Sequence, residues 1–245
     1  MPDYTITILD LFNKELTQLP DDIHLYTNLK VLYCGFNYLT KIANLPPTLE
    51  ELNCCYNQIT QLEHLPHGLK ILYCGNNKIT QLDNLPPGLK ILYCSYNNLT
   101  QLDKLPLSLE KLYCDCNELT QLEHLPNTLQ YLYCYSNKIN QLEHLPLKLK
   151  ILYCCKNKIT QLDNLSSNLE ILNCGENQIT RLDNLPQGLE TLYCWDNNIT
   201  QLDNLPPNLK DLNCKNNPLI YTFKPTIENI RKYIASNVNI STSYE

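Results

Sequence analysis

The sequence contains no long apolar run and no cluster of basic residues. No stretch approaches the roughly eighteen consecutive apolar residues of a membrane-spanning helix, so we expect no membrane segment. The first ten residues, MPDYTITILD, lack the basic segment and apolar core of a secretory signal. A net charge of -6 without clustered Lys and Arg argues against nucleic acid or an anionic membrane as partner. Thirteen cysteines without an export signal predict reduced thiols and a cytoplasmic location.

The sequence does contain a twenty-residue repeat, without an insertion or deletion along the array. A fixed period of about 20 to 29 residues with the spacing L-x-x-L-x-[LC]-x-x-N-x-[LI] is the signature of a leucine-rich repeat solenoid. We therefore predict one elongated molecule instead of a globule with a cleft. The recurring positions are leucine from 29 to 209, leucine from 32 to 212, cysteine from 34 to 214, and asparagine from 37 to 217.

Each repeat predicts a short strand followed by a turn and an extended return. The segment from Ile71 to Gly75 alternates, with Leu72 and Cys74 on the core side. Stacked copies give a parallel concave sheet of about eleven strands. Asn77 follows the strand, where its amide can satisfy buried backbone groups of neighbouring turns. Proline near the end of most repeats predicts an extended or polyproline-like convex side.

Both ends of the array read as caps. Residues 1–28 contain a degenerate repeat with Lys14 where the asparagine belongs, and residues 29–219 form the regular array. Within 220–236, Thr226 can cap a helix that places Ile227, Ile230 and Ile234 on one face, over the open end of the core. Residues 237–245 read as a polar tail.

The unit L-x-x-L-x-C-x-x-N-x-[IL]-T-x-L-x-x-L-P-x-x resembles the short, twenty-residue class of leucine-rich repeat found in secreted bacterial effectors. Those effectors often carry a C-terminal cysteine-dependent ubiquitin ligase domain. Only 28 residues follow Asn217, so this activity is not expected here. Near-identical repeats rich in Asn, Ile, Lys and Tyr also resemble the leucine-rich repeat proteins of giant, mimivirus-like DNA viruses. That resemblance implies a viral or pathogen protein in the host cytoplasm, with no activity attached.

Three repeated columns of side chains could carry chemistry, and each has a simpler interpretation. The cysteine column is a line, whereas zinc needs four converging ligands, so we interpret it as core packing. Cys55, Cys116 and Cys155 lie outside that column and are predicted to be accessible. The convex histidines and the acidic column from Glu63 to Asp203 are interpreted as solvated, although the acids could dock a basic partner. We predict no catalytic residue, no metal and no cofactor.

The concave face is the surface that predicts a function. It is rich in tyrosine, and aromatic side chains dominate binding hot spots, although a tyrosine ladder can also serve the sheet alone. We expect a non-enzymatic scaffold that binds a protein partner here. The alternatives are self-association through the same face, and an adaptor that recruits substrates to a ubiquitin ligase or other enzyme supplied in trans. The predicted partner-binding residues are Tyr73, Tyr93, Tyr113, Tyr131, Tyr133, Tyr135, Tyr153, Tyr193 and Trp195.

Overall fold

The computed structural model describes residues 2–241 as a single stack of coils. Each coil contributes one strand to an eleven-stranded sheet, and the strands follow one another in chain order. Every neighbouring pair is parallel, and the central leucines of adjacent strands are in register, as Leu72 is with Leu92. The strands are β1 Ile8–Asp10, β2 Val31–Tyr33, β3 Glu51–Asn53, β4 Ile71–Tyr73, β5 Ile91–Tyr93, β6 Lys111–Tyr113, β7 Tyr131–Tyr133, β8 Ile151–Tyr153, β9 Ile171–Asn173, β10 Thr191–Tyr193 and β11 Asp211–Asn213. The predicted solenoid and its strand number are confirmed.

The core lies between the sheet and the convex side and runs the length of the stack. In the middle repeats the core residues, such as Leu69, Leu72 and Ile79, are fully buried, and the column cysteines from Cys34 to Cys194 are buried with them. Each repeat alone exposes one side of these residues, so the neighbouring repeats supply the missing contacts.

The convex side contains no α-helix within the array, as the prolines predict. Each return ends in a turn in which a leucine N–H donates to the carbonyl three residues earlier. Leu89 N donates to Pro86 O at 3.0 Å, and Leu169 N donates to Ser166 O at the same distance, although serine replaces proline there.

The asparagine column joins successive repeats through side-chain hydrogen bonds. The Asn97 amide donates to Cys94 O at 3.0 Å in its own repeat and to Cys74 O at 3.1 Å in the preceding one. Its Oδ1 accepts from Ile79 N, also in the preceding repeat, at 2.9 Å. The amide therefore satisfies buried backbone groups on both turns, as predicted.

Two positions in each regular repeat adopt left-handed backbone conformations, and none of them is glycine. One directly precedes the ladder asparagine, as at Tyr56 with φ 56°, and the other lies on the convex side, as at Asn84 with φ 52°. Asparagine tolerates this region better than most residues, which explains its frequency in the convex column. The convex His64, His124 and His144 occupy the same left-handed position.

Both predicted caps have defined structure. At one end Tyr4 packs edge-on against Tyr26 and donates to Asp22, next to a short 3-10 turn at Ile23–Leu25. At the other end the helix α1, Ile227–Ser241, begins after Thr226, whose hydroxyl accepts from Asn229 N. Ile230 of α1 is fully buried against the core. The helix continues five residues beyond the predicted boundary at 236, and the rest of the predicted tail, 242–245, lies outside the described residues.

Candidate functional site: the concave aromatic face

Five predicted site tyrosines form one continuous column across the middle of the sheet. Each is the third residue of its strand and is half-buried. Neighbouring ring centroids are 6.4 and 5.7 Å apart at the first two steps and 4.7 and 4.9 Å apart at the last two, where the rings are stacked. Burial raises the pKa of the central hydroxyls, so they remain neutral donors and acceptors at neutral pH. The column consists of Tyr73, Tyr93, Tyr113, Tyr133 and Tyr153.

Tyr131 and Tyr135 widen this column at strand β7. The ammonium of Lys111 lies 5.0 Å from the centroid of the Tyr131 ring, in a cation–π contact. Burial raises the pKa of the Tyr135 hydroxyl, and its hydrogen bond with Tyr96 raises it further. The structure thus brings seven of the predicted residues into one surface.

Tyr193 and Trp195 form a separate patch nearer β11. Their ring centroids are 6.3 Å apart, and the Tyr193 hydroxyl donates to Asp211. Asn173 occupies the intervening position of the tyrosine column, where its Oδ1 accepts from Gly175 N. The structure therefore does not join this pair to the central column.

Glycine at two positions lets aromatic rings lie directly over the backbone. A Cβ at Gly75 would stand 2.3 Å from the Tyr93 ring, and a Cβ at Gly175 would stand 2.4 Å from the Trp195 ring. No real Cβ contact is that short, so these glycines fix where both rings lie. A side chain there would displace the ring.

An exposed aromatic strip runs along the side of the sheet. Phe36 stacks on Tyr56 with 4.1 Å between centroids, and Phe12 packs against Phe36 at 5.0 Å. All three are nearly half exposed. Phe36 and Tyr56 could be read as outer concave residues. Phe12 could not be assigned to this strip from the sequence, because the irregular spacing of the first repeat obscures its alignment with the array.

The prediction that Cys155 is accessible was wrong. Strand alternation places it on the concave side, but its exposed fraction is only 9%, and burial raises the pKa of its thiol to about 11. Cys55 is partly buried, and burial raises its pKa to about 11 as well. Cys116 is also half-buried. The second residue after each strand from β2 to β10 is buried or half-buried because neighbouring repeats cover it, which alternation alone does not reveal.

Asp115 is a buried carboxylate at this same covered position. Only 4% of it is exposed, and it accepts hydrogen bonds from Ser95 Oγ at 3.0 Å and Tyr135 N at 3.1 Å. Burial raises its pKa to about 6, although both hydrogen bonds act in the opposite direction. The only signal in the sequence for Asp115 is its place in a column that also holds small residues such as Gly75, Ser95 and Cys155.

Charged columns border the aromatic face and are largely self-neutralising. Glu50 pairs with Lys30 at 2.9 Å and with Lys70 on its other side, and these two ammonium groups lower its pKa to about 2. Lys90 pairs with Glu110 at 3.1 Å. Within residues 2–241 no three His, Cys, Asp or Glu side chains are arranged to hold a metal ion. The helix of the same region is not long and apolar enough to cross a membrane.

Comparison with known proteins agrees with this geometry. The family model described as leucine-rich repeats in two copies matches residues 47–87. Among solved structures, YopM from Yersinia enterocolitica is 32% identical with a TM-score of 0.68, over 80% of this chain and 48% of that one. The functional domain of InlJ from Listeria monocytogenes, whose description includes a cysteine ladder, is 26% identical with a TM-score of 0.69, over 92% of this chain and 56% of that one. No curated protein matches the sequence.

A third structure confirms the fold alone. The leucine-rich repeat domain of APL1B has a TM-score of 0.80 at 24% identity, covering 89% of this chain and 71% of that one. Repeat, sheet and matches together define a leucine-rich repeat protein. The chain spans about half the length of the Yersinia and Listeria proteins it resembles.

Proposed function

We propose that this chain is a non-enzymatic scaffold that binds a protein partner through the central tyrosine column. Leucine-rich repeat proteins generally serve as interaction scaffolds. The observation that carries the proposal is the continuous column of tyrosine rings from Tyr73 to Tyr153, held half-exposed on the sheet. Tyrosine supplies a large contact area at low entropic cost, and its hydroxyl orients a partner. The ten buried column thiols support a reducing compartment, and we place the protein in the cytoplasm.

The experiment begins with capture of partners on the immobilised chain and their identification by mass spectrometry. Affinity of the recovered partner is then measured directly for Tyr133→Ala combined with Tyr153→Ala. These central rings should carry a disproportionate share of the binding energy, and we expect affinity to fall by about 2 kcal/mol or more. The fold should persist, because neither side chain points into the core.

The matched control is Gln141→Ala with Gln161→Ala, two exposed residues on the convex side. That pair should leave affinity unchanged. A partner that ignores the tyrosine pair but is lost with Asp163→Lys or Asp183→Lys would assign function to the convex acidic column instead. Recovery of ligase components in the capture would favour the adaptor role.

A further inference from the structure

The backbone ladder of the array ends at β11, where the start of α1 passes beside the strand and Pro225 O lies 3.8 Å from Cys214 Sγ. Inside the array, each column cysteine N–H donates to the carbonyl of the third strand residue in the next repeat, as Cys194 N does to Asn213 O at 2.8 Å. On the free side of β11 the corresponding donors are Cys214 N and Asn216 N. Neither has a hydrogen-bond acceptor within residues 2–241. An open edge of this kind is a template for a further strand.

The outer side of β1 offers the groups that this edge lacks. In the register of the array, the third residue of an added strand presents its carbonyl to the cysteine N–H, and the first residue presents its N–H to the carbonyl that precedes the strand. In β1 these residues are Asp10 and Ile8. A β1 strand placed beside β11 would therefore pair Asp10 O with Cys214 N, and Ile8 N with Lys210 O.

The two ends of the molecule carry opposite charge. The end that contains β1 is acidic, and the end that contains β11 and α1 is basic, which favours their approach. Residues 2–28 hold Asp3, Asp10, Glu15, Asp21 and Asp22 against Lys14. Residues 207–236 hold Lys210, Lys215, Lys224, Arg231 and Lys232 against Asp211 and Glu228.

Both ends also have surfaces suited to a contact. A groove of about 540 Å³ lies beside β11, between the strand and the start of α1, and Lys215 and Lys224 line it. At the opposite end Ile8 of β1 is 56% exposed, and Phe12 beside it is also exposed. Burial of these two apolar side chains would add to the strand pairing.

We propose that copies of this chain associate end to end, with β1 of one copy added in parallel to β11 of the next. The contact joins two different surfaces, so each bound copy keeps one free end and association continues beyond a dimer. It uses neither the tyrosine column nor any residue assigned above to partner binding.

Sedimentation velocity of the purified chain over a range of concentrations tests the proposal. We expect the average mass to rise continuously with concentration and to fall as salt is added, because salt screens exposed charges. A monomer at every concentration in low salt would overturn the proposal.

Charge exchange identifies the surfaces. Lys215→Glu with Lys224→Glu makes both ends acidic, and Asp10→Lys with Asp21→Lys removes the acidic excess of the β1 end while the β11 end stays basic. Each variant alone should remain monomeric, whereas an equimolar mixture should associate again, since opposite ends then meet. Asp103→Lys with Asp163→Lys, on the convex side, is the matched control and should associate as the unmodified chain does. Association of either end variant alone at the unmodified level contradicts the proposal.

Ile8→Pro tests the backbone pairing separately. It removes an outward N–H, while the bonds from β1 to β2 use other groups, such as Thr7 O and Leu11 N. The variant should keep its unfolding midpoint and lose association. Association that survives Ile8→Pro, or that is abolished by Tyr133→Ala with Tyr153→Ala, would overturn the end-to-end arrangement, and the second result would assign self-association to the concave face.

Discussion

Asn97 and Asn98 are adjacent and chemically identical, yet their amides lie in opposite environments. Asn97 is buried, donates to two cysteine carbonyls and accepts from Ile79 N, whereas Asn98 is exposed. Asn97→Ala leaves a buried N–H and two carbonyls without these partners, so the free energy of unfolding should fall by about 1 to 3 kcal/mol. Asn98→Ala is the matched control and should change little. Chemical denaturation measures both, and equal midpoints would contradict the role given to the asparagine column.

Asp115 should make the stability of the array depend on pH. Its pKa is about 6 in the folded chain and near 3.8 when solvated, so the fold favours the protonated form. Its contribution is fully present below the unfolded value and is lost as the pH rises through about 6. In Asp115→Asn the amide oxygen can accept from Tyr135 N and the amide nitrogen can donate to Ser95 Oγ, without a buried charge. The variant should be more stable than the unmodified chain at pH 7, by about 1 to 2 kcal/mol, and nearly equal to it at pH 4. If the variant and the unmodified chain differed in stability by the same amount at pH 4 and pH 7, the carboxylate would not be destabilised by burial.

At the scale of the element, the strand is predictable because its alternation of core and surface residues recurs at the same place in every twenty-residue repeat. The same columns identify the buried leucines and the hydrogen-bonded asparagines, as at Leu92 and Asn97. The helix could be predicted from Thr226 and the spacing of its isoleucines, but its end could not, since Val238 continues that spacing and no glycine or proline marks a stop. The Phe12–Phe36–Tyr56 stack was missed in part because it joins a degenerate repeat to regular ones.

Strand alternation predicts exposure least well at the second residue after each strand. Alternation indicates on which side of the sheet a residue lies, but it does not indicate whether side chains of the next repeat cover that residue. Tyr93 over Gly75 and Trp195 over Gly175 show that neighbouring side chains cover this position. The central site tyrosines could be placed on one face from sequence alone. Their separation from the patch at Tyr193 depends on Asn173 at the intervening position.

Thiol titration of the native chain distinguishes the cysteines by burial. Thiolate is the reactive form, and raised pKa values slow the reaction of Cys55 and Cys155. We expect one rapidly reacting group, Cys116, followed more slowly by Cys55, and all thirteen after denaturation. Cys116→Ser should remove the rapid phase. Three rapid groups would restore the interpretation made from alternation alone.

At the scale of the whole molecule, the regular coils have the same length and the same pattern of backbone hydrogen bonds. Deletion of residues 118–137 removes one period and joins two coils in register, because the ladder asparagine is again twenty residues from the next. The shortened chain should keep its circular dichroism signature and unfold at a lower denaturant concentration, since it loses one interface between repeats. Deletion of residues 118–127, half a period, should prevent folding of the array. Equal behaviour of both deletions would show that register does not govern the fold.

The asparagine bonds all run in one direction along the chain. The backbone N–H of Ile79 donates to Asn97 Oδ1, eighteen residues later, and the same relation recurs from Leu39 with Asn57 to Ile199 with Asn217. The asparagine column thus completes each coil from its successor, whereas other backbone N–H groups, such as Lys90 N and Asn98 N, donate to the preceding coil. During synthesis, which delivers the N-terminal repeats first, every newly emerged coil stays unfinished until the ribosome has released the next asparagine. A paused nascent chain would therefore present one incomplete coil at its growing end, whatever its length.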